Sequence, residues 1–145
     1  MKEAYIYDSI RTPRGKGRKN GSLHEVSSVA LSSGVLREIK QRNDLDTNEI
    51  ADVIWGNVTQ IGEQGGCLAR SAVLHAKWSE STPGLSINRF CASGLEAVNL
   101  AANQTKGAGG GYVAGGVEMM SRVPMGSDGA AVAVDPSLTF DNYFV

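Results

Sequence analysis

Cys91 lies in Ser86-Ile87-Asn88-Arg89-Phe90-Cys91-Ala92-Ser93-Gly94-Leu95-Glu96, where a strand-like run gives way to a helix-like one. The start of a helix presents unpaired backbone N–H groups and the positive end of the helix dipole, and both favour an anion. A thiol placed there is expected to ionise below its usual pKa of about 8.5 and to act as a nucleophile near neutral pH. Ala92, Ser93 and Gly94 are small, so a substrate carbonyl has room to approach. The Cys91 backbone N–H would then help bind the oxyanion formed on attack. The layout is that of a nucleophile elbow without the G-x-S-x-G spelling. Position alone leaves an alternative, a buried cysteine that packs as a small hydrophobe.

Other candidates carry weaker signals. Cys67, in Gln64-Gly65-Gly66-Cys67-Leu68, also precedes a helix and reads best as a structural thiol near a packed surface. His24 sits in a turn and His75 ends a short helix. Either is chemically able to serve as the base a nucleophilic cysteine needs, although a lone histidine is more commonly a surface or core residue. The two cysteines and two histidines lack zinc-site spacing, so no metal is expected. Gly107-Ala108-Gly109-Gly110-Gly111-Tyr112 follows a helix and opens a strand. A phosphate loop requires the reverse order, so the segment reads as a helix C-cap and tight turn.

The elements that must position Cys91 alternate in type. Residues 4–10 read as a strand, 25–41 as a helix, 53–58 as a strand and 68–76 as a short helix. Strand 85–89, helix 92–105 and strand 112–116 follow. In the helix of residues 25–41, Val26, Val29, Leu36 and Ile39 fall on one face at about 100° per residue. Strands alternating with helices predict βαβ units and a mostly parallel, four-stranded sheet. Helix 92–105 is small or apolar nearly all round, which is the pattern of a helix covered on every side. One sheet covers only one face, so a second layer is expected over the other.

With 145 residues, 18 of them Gly, 41% hydrophobic and 20% charged, the composition is that of a globular chain. It excludes a disordered chain, a collagen-like repeat and a disulfide scaffold. The net charge of −1 conceals an asymmetry. Residues 1–42 hold nine Lys+Arg against four Asp+Glu, whereas residues 43–145 hold five against eleven. The excess concentrates in Arg11, Arg14, Lys16, Arg18 and Lys19, a stretch punctuated by Pro13, Gly15, Gly17 and Gly21. A solvated loop is the first reading and a phosphorylated small-molecule ligand the second. No aromatic residue interleaves the cluster for base stacking, which argues against nucleic acid. No apolar run of 18 residues is present, so no membrane span is expected. A strand-like segment starting near Met1 leaves no room for a leader, and two unpaired thiols suit a reduced, cytoplasmic compartment.

Several blocks together resemble the thiolase family. Asn88-Arg89-Phe90-Cys91-Ala92-Ser93-Gly94-Leu95 is similar to its acylated-cysteine motif, and Ala114-Gly115-Gly116-Val117-Glu118-Met119-Met120-Ser121 to its second signature. Ile10-Arg11-Thr12-Pro13 with Gly21-Ser22-Leu23, and the stretch from Gly56 to Arg70, match in the same order. The resemblance implies acyl transfer on acyl-CoA or 3-ketoacyl-CoA thioesters, with Cys91 acylated, coenzyme A thioester as substrate, and no bound cofactor or metal. It implies a mainly structural role for Glu118 and Ser121. It also implies a fold of two βαβαβαββ halves with a loop domain inserted in the first. Residues 1–121 would be a partial amino-terminal domain and 122–145 the start of the inserted loop domain.

The family's Gly-His-Pro, Cys-x-Gly-Gly-Gly and Asn-Glu-Ala-Phe motifs do not occur in these 145 residues. The expectation is therefore an amino-terminal piece that supplies the nucleophile but not the base or second cysteine. Its partner would be a complementary thiolase segment or a second copy in a homo-oligomer. The competing readings are a catalytically inactive remnant or interaction module, and a ketoacyl-synthase relative, which also acylates a cysteine. The Gly115 to Ser121 signature favours thiolase over synthase.

Overall fold

The computed structural model describes residues 3–129, Asp135 and Ser137. Most of the segment 122–145 expected to begin an inserted domain lies outside these residues. The regular elements are α1 (Ser28–Arg42), β1 (Ile50–Gly56), α2 (Leu68–His75), β2 (Gly84–Ile87), α3 (Ser93–Ala108) and β3 (Gly111–Gly116). The three strands form one parallel sheet in the order β2-β1-β3, with Gly56 at the carboxyl end of β1 opposite both Ile87 and Gly116.

The chain steps from β1 outward to β2 and then back across β1 to β3. Parallel crossovers are right-handed, so two steps in opposite directions place their helices on opposite faces of the sheet. The packing follows this rule. Val53 and Trp55 of β1 meet Leu36 of α1 and Ala69, Ala72 and Val73 of α2 on one face. Ile54 meets Ala97 and Ala101 of α3 on the other. Val53, Ile54 and Trp55 are therefore all buried, as expected of a central parallel strand covered on both sides.

Local chemistry sets the element ends. The Ser27 side chain accepts from the Ala30 N–H at α1, with Lys40 and Arg42 in the last turn, where cations complement the dipole. Gly109, at φ +80°, ends α3, and the Gly-rich run turns directly into β3, as its order in the sequence predicts.

The expected fourth strand is absent among the described residues. Residues 4–10 carry aromatic and branched side chains but pair with no neighbour, and Tyr7 is 92% exposed. A strand requires a ladder partner for its backbone groups, and β-propensity alone does not supply one. The layer expected over the outer face of α3 is likewise not supplied by the described residues. Ala97 and Ala101 face the sheet, while Leu95 is 65% and Val98 38% exposed.

Asp52 lies on β1 opposite Tyr112, with its Oδ1 atom buried and unpartnered among the described residues. Burial pushes its carboxyl above the usual carboxylate range, only partly offset by the Val53 N–H. A carboxyl with a raised folded-state pKa binds protons more readily when folded. The fold therefore loses stability as pH rises from about 3.9 through the folded-state value. Asp52→Asn is expected to raise the melting temperature at pH 7, with the gap from wild type closing below about pH 4 in a thermal-unfolding series.

Candidate functional site

In a parallel α/β sheet, ligands gather where the loops leave the carboxyl ends of the strands. Here that edge carries the loop after Gly56, the turn from Asn88 to Ser93 and the segment after Gly116. The turn after β2 is short and tightly determined. Asn88 Oδ1 accepts from the Phe90 N–H at 2.8 Å, which closes an Asx turn. Ser93 Oγ accepts from the Arg89 N–H at 2.8 Å and donates to the Phe90 carbonyl at 2.6 Å. An ion pair between Arg89 and Glu96 at 2.8 Å spans the turn on its exposed side. Phe90 takes a left-handed conformation, φ +49°, at a cost of roughly 1–3 kcal/mol for a bulky residue.

Cys91 follows that residue directly and precedes the N-cap, Ala92, of α3. Its side chain is exposed among the described residues. The kink of a nucleophile elbow is thus present, with the left-handed residue one position before the cysteine. Gly56 makes the junction possible. A Cβ there would lie 2.5 Å from the Ser93 carbonyl carbon and 2.6 Å from the Gly94 nitrogen, so the first turn of α3 sits directly on the end of β1.

The segment after β3 ties this edge together. The Glu118 carboxylate accepts from the Val58 N–H at 2.7 Å, the Thr59 N–H at 3.3 Å and Gln64 Nε2 at 2.9 Å. Gln64 is fully buried and also accepts from the Met119 N–H at 2.6 Å. Asn57, equally buried, donates through its side chain to the Val117 carbonyl at 3.0 Å and through its N–H to the Ile87 carbonyl at 2.9 Å. Asn88 Nδ2 reaches the Val58 carbonyl at 3.2 Å. Three strand ends are joined by these hydrogen bonds, Glu118 tying the segment after β3 to the loop after β1 and Asn88 tying that loop to the turn after β2. The structural role expected for Glu118 is what this geometry performs.

A second carboxylate steadies the same edge from the α1 side. Glu63 accepts from the Ser28 N–H at 2.8 Å at the start of α1 and from Arg122 Nε at 2.8 Å. Burial alone would push its carboxyl up. The Ser28 hydrogen bonds and the Arg122 guanidinium outweigh that and hold it below the ordinary range.

The remaining candidates do not gather at Cys91. Cys67 is the left-handed N-cap of α2, and its thiol donates to the Gly84 carbonyl at 3.3 Å, against the outer strand β2. It is exposed rather than packed. His75 ends α2, where Nδ1 lies 2.8 Å from Ser33 Oγ. The turn beyond it bonds Thr47, just before β1, which puts His75 at the amino ends of the strands, opposite Cys91. His24 holds Arg122 through its carbonyl, and no hydrogen bond joins either histidine to Cys91 among the described residues. No group of three or more His, Cys, Asp or Glu able to hold a metal ion occurs among the described residues. No helix there is long and apolar enough to cross a membrane.

Sequence reasoning named Cys91 and Glu118 but missed Asn57, Gln64, Asn88 and Ser93. The pattern Asn88-x-x-x-x-Ser93 before a helix was a legible turn signal. Nothing in a single sequence marks Gln64, in a polar Gly-punctuated loop, as fully buried.

The profile of the thiolase N-terminal domain matches residues 4–141. The chain belongs to the thiolase family. It is 42% identical over 140 residues to a 3-ketoacyl-CoA thiolase of Colwellia psychrerythraea, a match covering 95% of this chain and 35% of that protein. A 3-ketoacyl-CoA thiolase of Pseudoalteromonas atlantica is 41% identical over 127 residues, covering 86% and 33%. Among solved structures, the acetyl-CoA acetyltransferase of Bacillus anthracis superposes with a TM-score of 0.66 at 37% identity, covering 72% of this chain and 26% of that one. The chain spans about a third of the length of the curated thiolases it matches.

Within this thiolase chain, replacing Glu118 by Gln exchanges one acceptor oxygen for a donor that faces N–H groups. Glu118 is solvent-exposed, so Glu118→Gln is expected to destabilise the fold by about 0.5–1.5 kcal/mol, the net worth of an ordinary hydrogen bond. A denaturant titration should show a lower midpoint with an unchanged slope.

Proposed function

We propose that Cys91 is the acyl-accepting nucleophile of a thiolase-type acyltransferase that acts on acyl-CoA and 3-ketoacyl-CoA thioesters. The observation that carries this reading is an exposed thiol, in a thiolase-family chain, on a strained turn at the start of a 16-residue helix. Helix-terminal N–H groups and the dipole favour the oxyanion formed on attack. The Cys91 N–H is the nearest donor for that role.

In the degradative direction the thiolate adds to the 3-keto carbon, and the bond between C2 and C3 then breaks. The acyl group stays on sulfur as a thioester, and the electron pair leaves as the enolate of the shortened CoA thioester, which takes up a proton. A second coenzyme A thiol transfers its hydrogen to a base, attacks the acyl-cysteine and regenerates the thiolate. Run in reverse, two acyl-CoA molecules condense.

Neither proton transfer has an evident agent among these residues. His75 lies at the opposite end of the sheet, and the sequence holds no later histidine. General acid–base catalysis contributes about 10²–10⁴-fold, so acylation of Cys91 and turnover are separable in this chain. The uncovered face of α3, with Leu95 and Val98, fits a seat for a complementary thiolase segment or a second copy. A cooperatively folded monomer seen in size-exclusion and unfolding experiments would rule that seat out.

The chain incubated with acetyl-CoA should gain one acetyl group on Cys91, and iodoacetamide should alkylate Cys91 faster than Cys67, both read by peptide mass spectrometry. Thiolysis of acetoacetyl-CoA should be undetectable. Acetylation that persists in Cys91→Ser, or preferential labelling of Cys67, would overturn the assignment. Robust thiolysis by the 145 residues alone would overturn the separation of acylation from turnover.

A further inference from the structure

Ser93 forms hydrogen bonds on both sides of Phe90. Its N–H and its Oγ both donate to the Phe90 carbonyl, at 3.0 and 2.6 Å, and Oγ accepts from the Arg89 N–H at 2.8 Å. The hydroxyl is donor and acceptor at once, and the residue is only 4% exposed. Ser93 is itself held in place. Its carbonyl carbon and the Gly94 nitrogen lie so close to Gly56 that a Cβ there would come within 2.5 and 2.6 Å of them.

The Phe90 carbonyl and the Cys91 N–H belong to one peptide unit. The described residues have no cis peptide bonds, and in a planar trans peptide the C=O and N–H point in opposite directions. Pinning the carbonyl toward the first turn of α3 therefore directs the Cys91 N–H away from that turn. The arrangement requires the left-handed conformation at Phe90, φ +49°, which residues other than Gly, Asn and Asp rarely adopt. Without the hydroxyl, Phe90 is released toward the extended and right-handed regions, and the plane that carries the Cys91 N–H turns with it.

We propose that Ser93 is a positioning residue for acyl transfer at Cys91: its hydroxyl fixes the peptide plane between Phe90 and Cys91 and so aims the Cys91 N–H at the oxygen that becomes negative. The inference rests on the reading of Cys91 as acyl acceptor and adds the group that orients its oxyanion donor. In transfer from acetyl-CoA, the Cys91 sulfur adds to the thioester carbon and the carbonyl electron pair moves onto oxygen. That pair returns as the bond from carbon to the coenzyme A sulfur breaks, and the departing thiolate takes up the proton that Cys91 gave up. A donor stabilises this oxyanion only when it is aimed at the position the oxygen takes. Alkylation by iodoacetamide displaces iodide at a saturated carbon, so it needs the exposed thiol but not the aim of the N–H.

The two reactions, followed at the Cys91 peptide by mass spectrometry of the full 145-residue chain at one pH, separate aim from exposure. Ser93→Ala should lower the rate of acetylation by acetyl-CoA at least about tenfold, part of the roughly 10²–10³-fold cost of losing a whole oxyanion donor. Its rate of alkylation should stay within about twofold of wild type, since thiol reactivity follows ionisation and access. Phe90→Asn and Phe90→Val test the same plane at an exposed residue. Both remove the ring, but Asn tolerates the left-handed conformation and β-branched Val does not. Acetylation of Phe90→Asn should exceed that of Phe90→Val by at least about tenfold, with equal alkylation.

Equal acetylation of Ser93→Ala and wild type, a parallel fall in both reactions, or equal acetylation of the two Phe90 variants each overturns the proposal. If Ser93→Ala shows no cooperative unfolding transition, the Phe90 pair decides alone. Acetylation of Cys91 in wild type with unaffected variants leaves the nucleophile standing and removes Ser93 from its support. A wild-type chain that gains no acetyl group on Cys91 overturns the nucleophile reading, and the role of Ser93 with it.

Discussion

The carboxylate of Glu118 is the acceptor on which the working edge of this molecule depends. Three parallel strands end side by side there, and the backbone N–H groups of Val58 and Thr59 just beyond β1 have left the ladder. Buried polar groups need partners, and each one left without costs about 1–3 kcal/mol. Glu118 supplies acceptors to the loop after β1, and Asn57 links that loop to β2 and β3. Gln64 locks Met119 to the same cluster. The position of the Asn88 to Ser93 turn relative to its neighbours follows from this network. A cysteine is useful as a nucleophile only if its neighbours stay still.

Steric constraint complements the hydrogen bonds. The missing side chain at Gly56 brings the first turn of α3 onto the end of β1, so the positive end of a 16-residue helix points into the same edge. Ala97 and Ala101 continue the close approach along the helix, whose inner face is built from small residues. Its outer face is built for burial too, with Leu95 and Val98 standing in solvent. Covering either side chain would contribute about 1.5–3 kcal/mol, a substantial share of the stability of a domain this size.

What a sequence makes legible depends on how local the cause is. The helix from Leu68, the turn at Gly109 and the junction at Cys91 were readable because caps, glycines and hydrophobic runs act within a few residues. The face of α1 was only partly readable. Apolar periodicity picks out Val26, Val29, Leu36 and Ile39, yet the buried stripe is Ser28, Ser32, Ser33 and Leu36. Small serines let α1 approach α2 and the sheet, and Ser32 accepts a hydrogen bond from Trp55 Nε1 at 3.1 Å in the core. Hydrophobicity alone hides such a stripe. Gln64 was hidden for the same reason, since its burial is compensated by partners far along the chain.

The residues from Ala4 to Ile10 show the limit of local inference most clearly. Their composition is that of a strand, but pairing is a relation between two segments, and no described segment forms a ladder with them. Among the described residues β3 forms one border of the sheet, and the same segment-by-segment logic leaves its outer backbone groups without a ladder. Geometry at the carboxyl edge divides along this line as well. The exposed thiol, the left-handed Phe90, the Asx turn and the Ser93 hydrogen bonds to Arg89 and Phe90 all arise within six residues, so the backbone shape around Cys91 is set by its own segment, whereas a strand needs a partner from elsewhere in the sequence.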